Sequence, residues 1–156
     1  EDEVVPLARE VEYAKGYLTI QKMRYKDKLE FEIDVEPSIL NIPLIKLVLQ
    51  PIIENAIYHG LKYKESKGLL QVKGFMKDGN AVLQVIDNGV GMDEETLSHI
   101  YDKHKVNYHS NGVGVYNVQK RLKLYYGENY GITYESEKGV GTTATITIPG
   151  IQEESI

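Results

Sequence analysis

A chain of 156 residues has room for one domain with a sizeable core, and 42% hydrophobic with 26% charged residues is an ordinary globular composition. The formal net charge of −5 supplies no basic field for nucleic acid, so a polyanionic ligand has to be held by local donors or by a metal. There is no cysteine, which excludes disulfides, thiol catalysis and thiolate-bound zinc and fits a reducing compartment, and Lys46, Gln50 and Glu54 break the longest apolar stretch too often for a membrane span or signal peptide. The opening "EDEVV" has no Met and leads straight into helical patterning, as expected of a piece of a larger protein.

Residues 5–25 predict a helix, with Pro6 in its first turn. Leu7, Val11, Ala14, Leu18, Gln21 and Tyr25 follow the alternating four–three spacing of a coiled-coil seam, a pattern that serves equally for packing on the same domain. "LEFEIDV" (29–35) alternates apolar and charged side chains, the mark of a half-buried strand. Residues 44–60 predict a mostly buried helix ending near Gly60, with Lys46, Gln50 and Glu54 on one polar stripe and Asn55 on the apolar side between Leu44 and Val48. Pro51 inside that run predicts a kink, or a cost of about 3 kcal/mol.

Residues 68–89 form two strand-like runs around Asp78-Gly79, a strong hairpin signal. Residues 92–103 predict a short helix, 104–114 a flexible loop, and 115–127 a helix stopped by Gly127. Residues 131–149 predict two strands around a Gly-rich turn, and 151–156 a frayed tail. The pattern predicts an α/β two-layer sandwich: a mixed sheet of about five strands, covered on one face by about three helices, plus an N-terminal helix.

Four features carry chemistry. Asn55, an amide on an apolar face, is either bonded to backbone as a structural residue or an oxygen ligand for a hard cation such as Mg²⁺. "DNGVGM" (87–92) is either a turn or a site in which Asp87 accepts from a ligand amine while Gly89 and Gly91 admit a flat ligand to the backbone. Gly112 and Gly114 precede a helix whose free backbone amides favour phosphate, and a hinge or cap is the plainer alternative. "GVGTT" (139–143) offers the hydroxyl of Thr142 or Thr143 at a strand entry, or is a simple hairpin turn.

In this order, the four resemble the motifs of the gyrase, heat-shock chaperone, histidine kinase and mismatch-repair ATPase superfamily. "LQPIIENAIYHG" resembles its N box, "DNGVGM" its G1 box, "NGVGVYNVQKRL" its G2 box and "GVGTT" its G3 box. Within it, "QPIIENAIYHG", "GVGVYNVQKRL" and "EVEYAKGYLTIQKMRYKDKLEFEIDV" are similar to sensor histidine kinases of the sporulation/autolysin-regulator type.

The resemblance implies residues 1–27 as the end of a dimerisation bundle, 28–150 as an ATP-binding kinase domain and 151–156 as tail. It implies ATP and Mg as cofactors, with Asn55 ligating the Mg²⁺ that bridges the phosphates, and Asp87 bonding the adenine amino group. Gly89 and Gly91 would leave room for the base. Gly112 and Gly114 would mark the lid edge near the phosphates, and Thr142, with Thr143 as fallback, would support the adenine end. His59 would face the nucleotide unless it is a buried structural residue. Many relatives carry Lys three residues after the N-box Asn; here Tyr58 stands there, which turns attention to the lid lysines Lys103 and Lys105.

Hydrolysing members carry a Glu one turn before the Asn, where this chain has Pro51, so ATP binding without efficient hydrolysis is expected. His59, His99, His104 and His109 all lie outside the N-terminal helix, so the phosphoacceptor His is expected elsewhere in the parent protein. Implied partners are a response regulator and a second copy through the bundle, with no nucleic acid and no membrane contact by this segment. The implied setting is the cytoplasmic part of a membrane-anchored sensor. Another enzyme of the same fold, an anti-sigma-type serine kinase or an ATPase, and a non-catalytic nucleotide-binding or dimerisation module are the alternatives.

Overall fold

The structure, a computed structural model, describes residues 3–62, 64–101 and 114–151. Its elements in chain order are β1 (Val4–Pro6), α1 (Leu7–Tyr25), β2 (Leu29–Val35), β3 (Pro43–Ile45), α2 (Leu49–Asn55), β4 (Gly68–Lys77), β5 (Asn80–Asp87), α3 (Glu94–Ser98), α4 (Val115–Tyr126), β6 (Gly131–Glu137) and β7 (Gly141–Pro149). One π turn, Ala56–Leu61, follows α2 directly.

Two-residue alternation builds the main sheet. Leu70 and Val72 on β4, Leu83 and Val85 on β5, Ala144 and Ile146 on β7 and Ile132 on β6 are buried in one core with the apolar faces of α1, α2 and α4. The intervening residues, among them Gln71, Gln84 and Thr145, occupy the opposite face. The strand order is β2-β4-β5-β7-β6, with β2 parallel to β4 and every other neighbour antiparallel. Asp78 and Gly79 both have positive φ, 51° and 81°, as the tight β4–β5 hairpin demands. This is the two-layer mixed-sheet sandwich that the sequence predicts.

Several expectations are corrected. The helix predicted over 44–60 starts only at Leu49, because Pro43–Ile45 pairs antiparallel with Val4–Pro6 in a small second sheet. Lys46 therefore lies off the helix, and Leu44 is no neighbour of Asn55 on a helical wheel. Pro51 falls in the first turn of α2, where amides have no intrahelical acceptor, so it neither kinks the helix nor costs what an interior proline would. Of the two readings open for the α1 seam, packing on its own domain is the one observed: Leu7, Ala14 and Leu18 are fully buried in the common core, and Val11 and Tyr25 pack against it. α3 is shorter than the predicted helix over 92–103. The loop predicted over 104–114 lies, apart from Gly114, outside the described residues.

The N-terminus of α2 is held from outside. Glu10 of α1, 3% exposed, accepts the Val48 and Leu49 amides on one carboxylate oxygen at 2.8 and 3.2 Å. Arg121 of α4 donates to the Lys46 and Leu47 carbonyls, and the Tyr126 hydroxyl accepts the Ile45 amide at 3.2 Å. A carboxylate at a helix start satisfies orphan amides and suits the positive end of the helix dipole. Thus α1 and α4 together fix where the helix bearing Asn55 begins.

Candidate functional site

The end of β5 is where apolar alternation gives way to acid and glycine. Asp87 closes that strand and is 6% exposed. Its Oδ1 accepts the Gly89 amide at 2.8 Å, and Thr142 is its register partner on β7. The Gly89 and Thr142 amides favour the ionised form, but burial outweighs them and pushes the carboxyl from its usual 3.8 up to about 6. Gly60, brought in by the π turn, makes this packing possible: a Cβ there would lie 2.8 Å from Asp87 Oδ1. Single π turns recur at functional sites, and this one places Gly60 so that its carbonyl accepts the Val90 amide at 2.9 Å.

The glycines of "DNGVGM" work differently from the expectation. A Cβ on Gly89 would overlap the Gly60 carbonyl, one on Gly91 the Glu137 carbonyl, and one on Gly141 the Asp87 carbonyl. The room left by Gly89 and Gly91 is thus taken by the protein's own backbone. With the Gly139 amide bonded to the Val90 carbonyl at 2.7 Å, they knit the β5 loop to the π turn and to the β6–β7 turn.

Asn55 ends α2 half-buried. The Tyr134 hydroxyl is buried and finds no hydrogen-bond partner among the described residues. Burial drives its pKa far up; Tyr101 and Asp87 add to the rise, and the Asn55 amide opposes it. Thr142 lies on the same face as Asp87, its Oγ1 2.7 Å from Ser136 Oγ, which also accepts the Met92 amide at 2.8 Å. Thr143 is not brought to this site: register places it between Ile86 and Glu135, on the opposite face of the sheet. A cavity of about 410 Å³ opens beside it, lined by Gln71, Ile86, Glu135 and Val140 and, at its edge, by Asp87 and Thr142.

His59 is exposed, with its ring edge-on to Tyr58 at 5.0 Å, so the buried structural reading of it is corrected. Gly114 caps α4 in an extended conformation, and its carbonyl accepts the Val118 amide at 3.2 Å. Gly112, Lys103 and Lys105 lie outside the described residues. Gly60, Ser136 and Tyr134 escaped the reading of the sequence. Extending the alternation from Ile132 puts Tyr134 and Ser136 on the buried face, and that signal would have found both.

Residues 41–152 match the family model of the histidine kinase-, DNA gyrase B-, and HSP90-like ATPases. The chain belongs to this family. Among curated members it is 31% identical over 147 residues to the sensor histidine kinase YesM of Bacillus subtilis, covering 94% of this chain and 24% of that protein. It is 35% identical over 130 residues to the sensor protein LytS of Oceanobacillus iheyensis, covering 82% of this chain and 22% of that one. It therefore spans about a quarter of the length of these relatives. The fold is that of histidine kinase ThkA, seen in a crystal structure in complex with the response regulator TrrA, at TM-score 0.68 and 15% identity, covering 96% of this chain and 42% of that one. No helix among the described residues is long and apolar enough to cross a membrane.

The donor set also bears on a metal. No group of three or more His, Cys, Asp or Glu gathers among the described residues, so nothing there resembles a resident metal cage. One half-buried amide oxygen on Asn55 fits Mg²⁺ carried by a nucleotide, because that ion keeps several waters and leans on phosphates plus one or two protein oxygens.

Proposed function

We propose that this chain is the ATP-binding catalytic domain of a two-component sensor histidine kinase, which positions Mg-ATP so that the γ-phosphate passes to a His on another domain of the parent protein. The observation that carries this reading is Asp87, an acid buried at a strand end and braced by the Gly89 amide. A base-reading carboxylate needs such fixed placement and a dry setting. Asp87 accepts the adenine amino group. Asn55 offers Oδ1 to the metal, which when bound offsets the charge of the phosphates. Gly114 places the first amides of α4 toward the phosphates. Lys105 and Gly112 serve the lid, and His59, on the turn after Asn55, borders the nucleotide.

Catalysis in such a domain is positioning and charge stabilisation, not proton abstraction from water. Pro51, one turn before Asn55, can take no proton, and the Glu54 carboxylate is engaged by Gln50 Nε2 at 3.0 Å. Neither is placed as a general base for hydrolysis. The partner is a response regulator in a phosphorelay, a reading supported by the complex of ThkA with the response regulator TrrA. In the parent, α1 continues a dimerisation bundle through its outer face, where Tyr13, Ile20 and Met23 are 58%, 63% and 72% exposed. The reading places the domain on the cytoplasmic side of a membrane-anchored sensor.

Incubation with γ-labelled ATP and Mg²⁺ tests this directly. The expected result is bound nucleotide, no sustained phosphate release and no acid-labile phosphohistidine on this chain. Steady phosphate release would favour the ATPase alternative instead.

A further inference from the structure

Ser136 is a polar side chain on the Asp87 rung that the nucleotide reading leaves without a task. It stands opposite Thr142 on β7, and Thr142 stands opposite Asp87 on β5, so the three share one face of the sheet. Side chains opposed in this way have Cβ atoms about 5 Å apart. Ser136 Oγ lies 2.8 Å from the Met92 amide nitrogen, 3.1 Å from the Gly141 carbonyl oxygen and 2.7 Å from Thr142 Oγ1. Those three contacts fix where the hydroxyl protons go. The Met92 amide can only donate and the Gly141 carbonyl can only accept, so the one serine proton points to Gly141. Turning it to Thr142 instead would set two acceptor oxygens against each other at 3.1 Å. Thr142 therefore donates to Ser136, whose two lone pairs are then filled by the Met92 amide and the Thr142 hydroxyl. With its proton committed, Thr142 Oγ1 has only lone pairs left to offer. The neighbouring Asp87, once ionised, is acceptor-only as well.

We propose that Ser136 is a positioning residue that locks the Thr142 hydroxyl as an acceptor, and thereby sharpens the choice of a purine with an amine at C6 over one with an oxo group there. A free threonine hydroxyl rotates to suit its ligand: it accepts from an amine and donates to an oxo oxygen. Such a residue beside Asp87 would partly rescue the wrong base. A hydroxyl whose proton is held by Ser136 has no such freedom, so an oxo group meets lone pairs on both Asp87 and Thr142. Sites with fixed hydrogen-bonding polarity discriminate because the wrong ligand leaves polar groups unpaired. The inference rests on the reading of Asp87 as the carboxylate at the base end.

Calorimetric titration with ATP and with inosine triphosphate, its 6-oxo counterpart, tests this on the wild-type chain, Ser136→Ala, Thr142→Val and the double variant. The wild type should prefer ATP, and S136A should narrow that preference roughly fivefold. In the T142V background, adding S136A should change the preference no further, because Ser136 acts through the Thr142 hydroxyl. S136A also takes the acceptor from the Met92 amide and should lower the melting temperature. A smaller folded fraction weakens both nucleotides alike and leaves their ratio unmoved, so the ratio separates positioning from stability. An unchanged ratio in S136A overturns the proposal, as does an equal narrowing with and without the Thr142 hydroxyl. If ATP binds and Asp87→Asn abolishes that binding while S136A keeps the wild-type ratio, the role of Ser136 falls and that of Asp87 stands. If the wild type binds neither nucleotide, both fall.

Discussion

Asp87 sits where a carboxylate destabilises the fold, and that is its signature. Burial raises it from 3.8 to about 6, a shift corresponding to about 3 kcal/mol. Between those values the folded chain holds a proton that the unfolded chain has released. This contribution to stability is therefore complete below pH 4, declines as pH rises to about 6 and is gone above it. Urea unfolding from pH 4 to 7 should show that decline in the wild type and lack it in Asp87→Asn; the same decline in the variant would place its origin elsewhere. ATP affinity should run the other way, rising with pH through about 6, because the ionised carboxylate accepts a bond from an adenine amine more strongly than the protonated carboxyl, one of whose oxygens has become a donor. At this scale the sequence singled out the acid that the fold buries, since the apolar alternation of β5 ends on it. It did not show what Gly89 and Gly91 are for, because the Gly60 and Glu137 carbonyls that they meet are remote in the chain. The choice between Thr142 and Thr143 rested on register, which strand pairing alone decides.

Contacts between elements explain why α2 was misplaced. Leu44 and Ile45 look like helix interior, yet they are strand residues paired with Val4 and Val5, and nothing local announces a pairing across forty residues. With that strand in place, Pro51 becomes a first-turn residue, and Pro51→Ala should change stability by less than about 1 kcal/mol in chemical denaturation. A gain near 3 kcal/mol would restore the interior-proline reading. Glu10 is the converse case, an ordinary acid in α1 by sequence that serves as the cap of another helix in the fold. Glu10→Ala leaves the buried Val48 and Leu49 amides without their acceptor and should cost about 2 kcal/mol. A loss below about 0.5 kcal/mol would mean that the carboxylate is dispensable there. The hairpin β4–β5 was legible because Asp-Gly and two alternating runs are adjacent; the parallel pairing of β2 with β4 was not, since it depends on a crossover through α2.

At the scale of the whole molecule, α1 is part of the fold on one side and exposed on the other. Leu7, Ala14 and Leu18 are fully buried in the core shared with the sheet, while Tyr13, Ile20 and Met23 face outward. Removing residues 1–27 should therefore leave a largely unfolded remainder: two buried leucines alone are worth roughly 4 kcal/mol, a large share of the roughly 5–15 kcal/mol that holds a domain together. A cooperative, wild-type-like melting transition by circular dichroism in the shortened chain would contradict that. Through Glu10 the same helix grips the start of α2, whose far end carries Asn55, so the scaffold joins α1 with the proposed nucleotide site. On the proposed reading, this site binds ATP through Asp87 and takes up its metal through Asn55. Calorimetric titration of ATP with and without Mg²⁺ tests it most directly: binding should be lost or greatly weakened in Asp87→Asn under both conditions, and Asn55→Ala should lose only the metal-dependent gain. Wild-type affinity in D87N, or a full Mg²⁺ response in N55A, would contradict it.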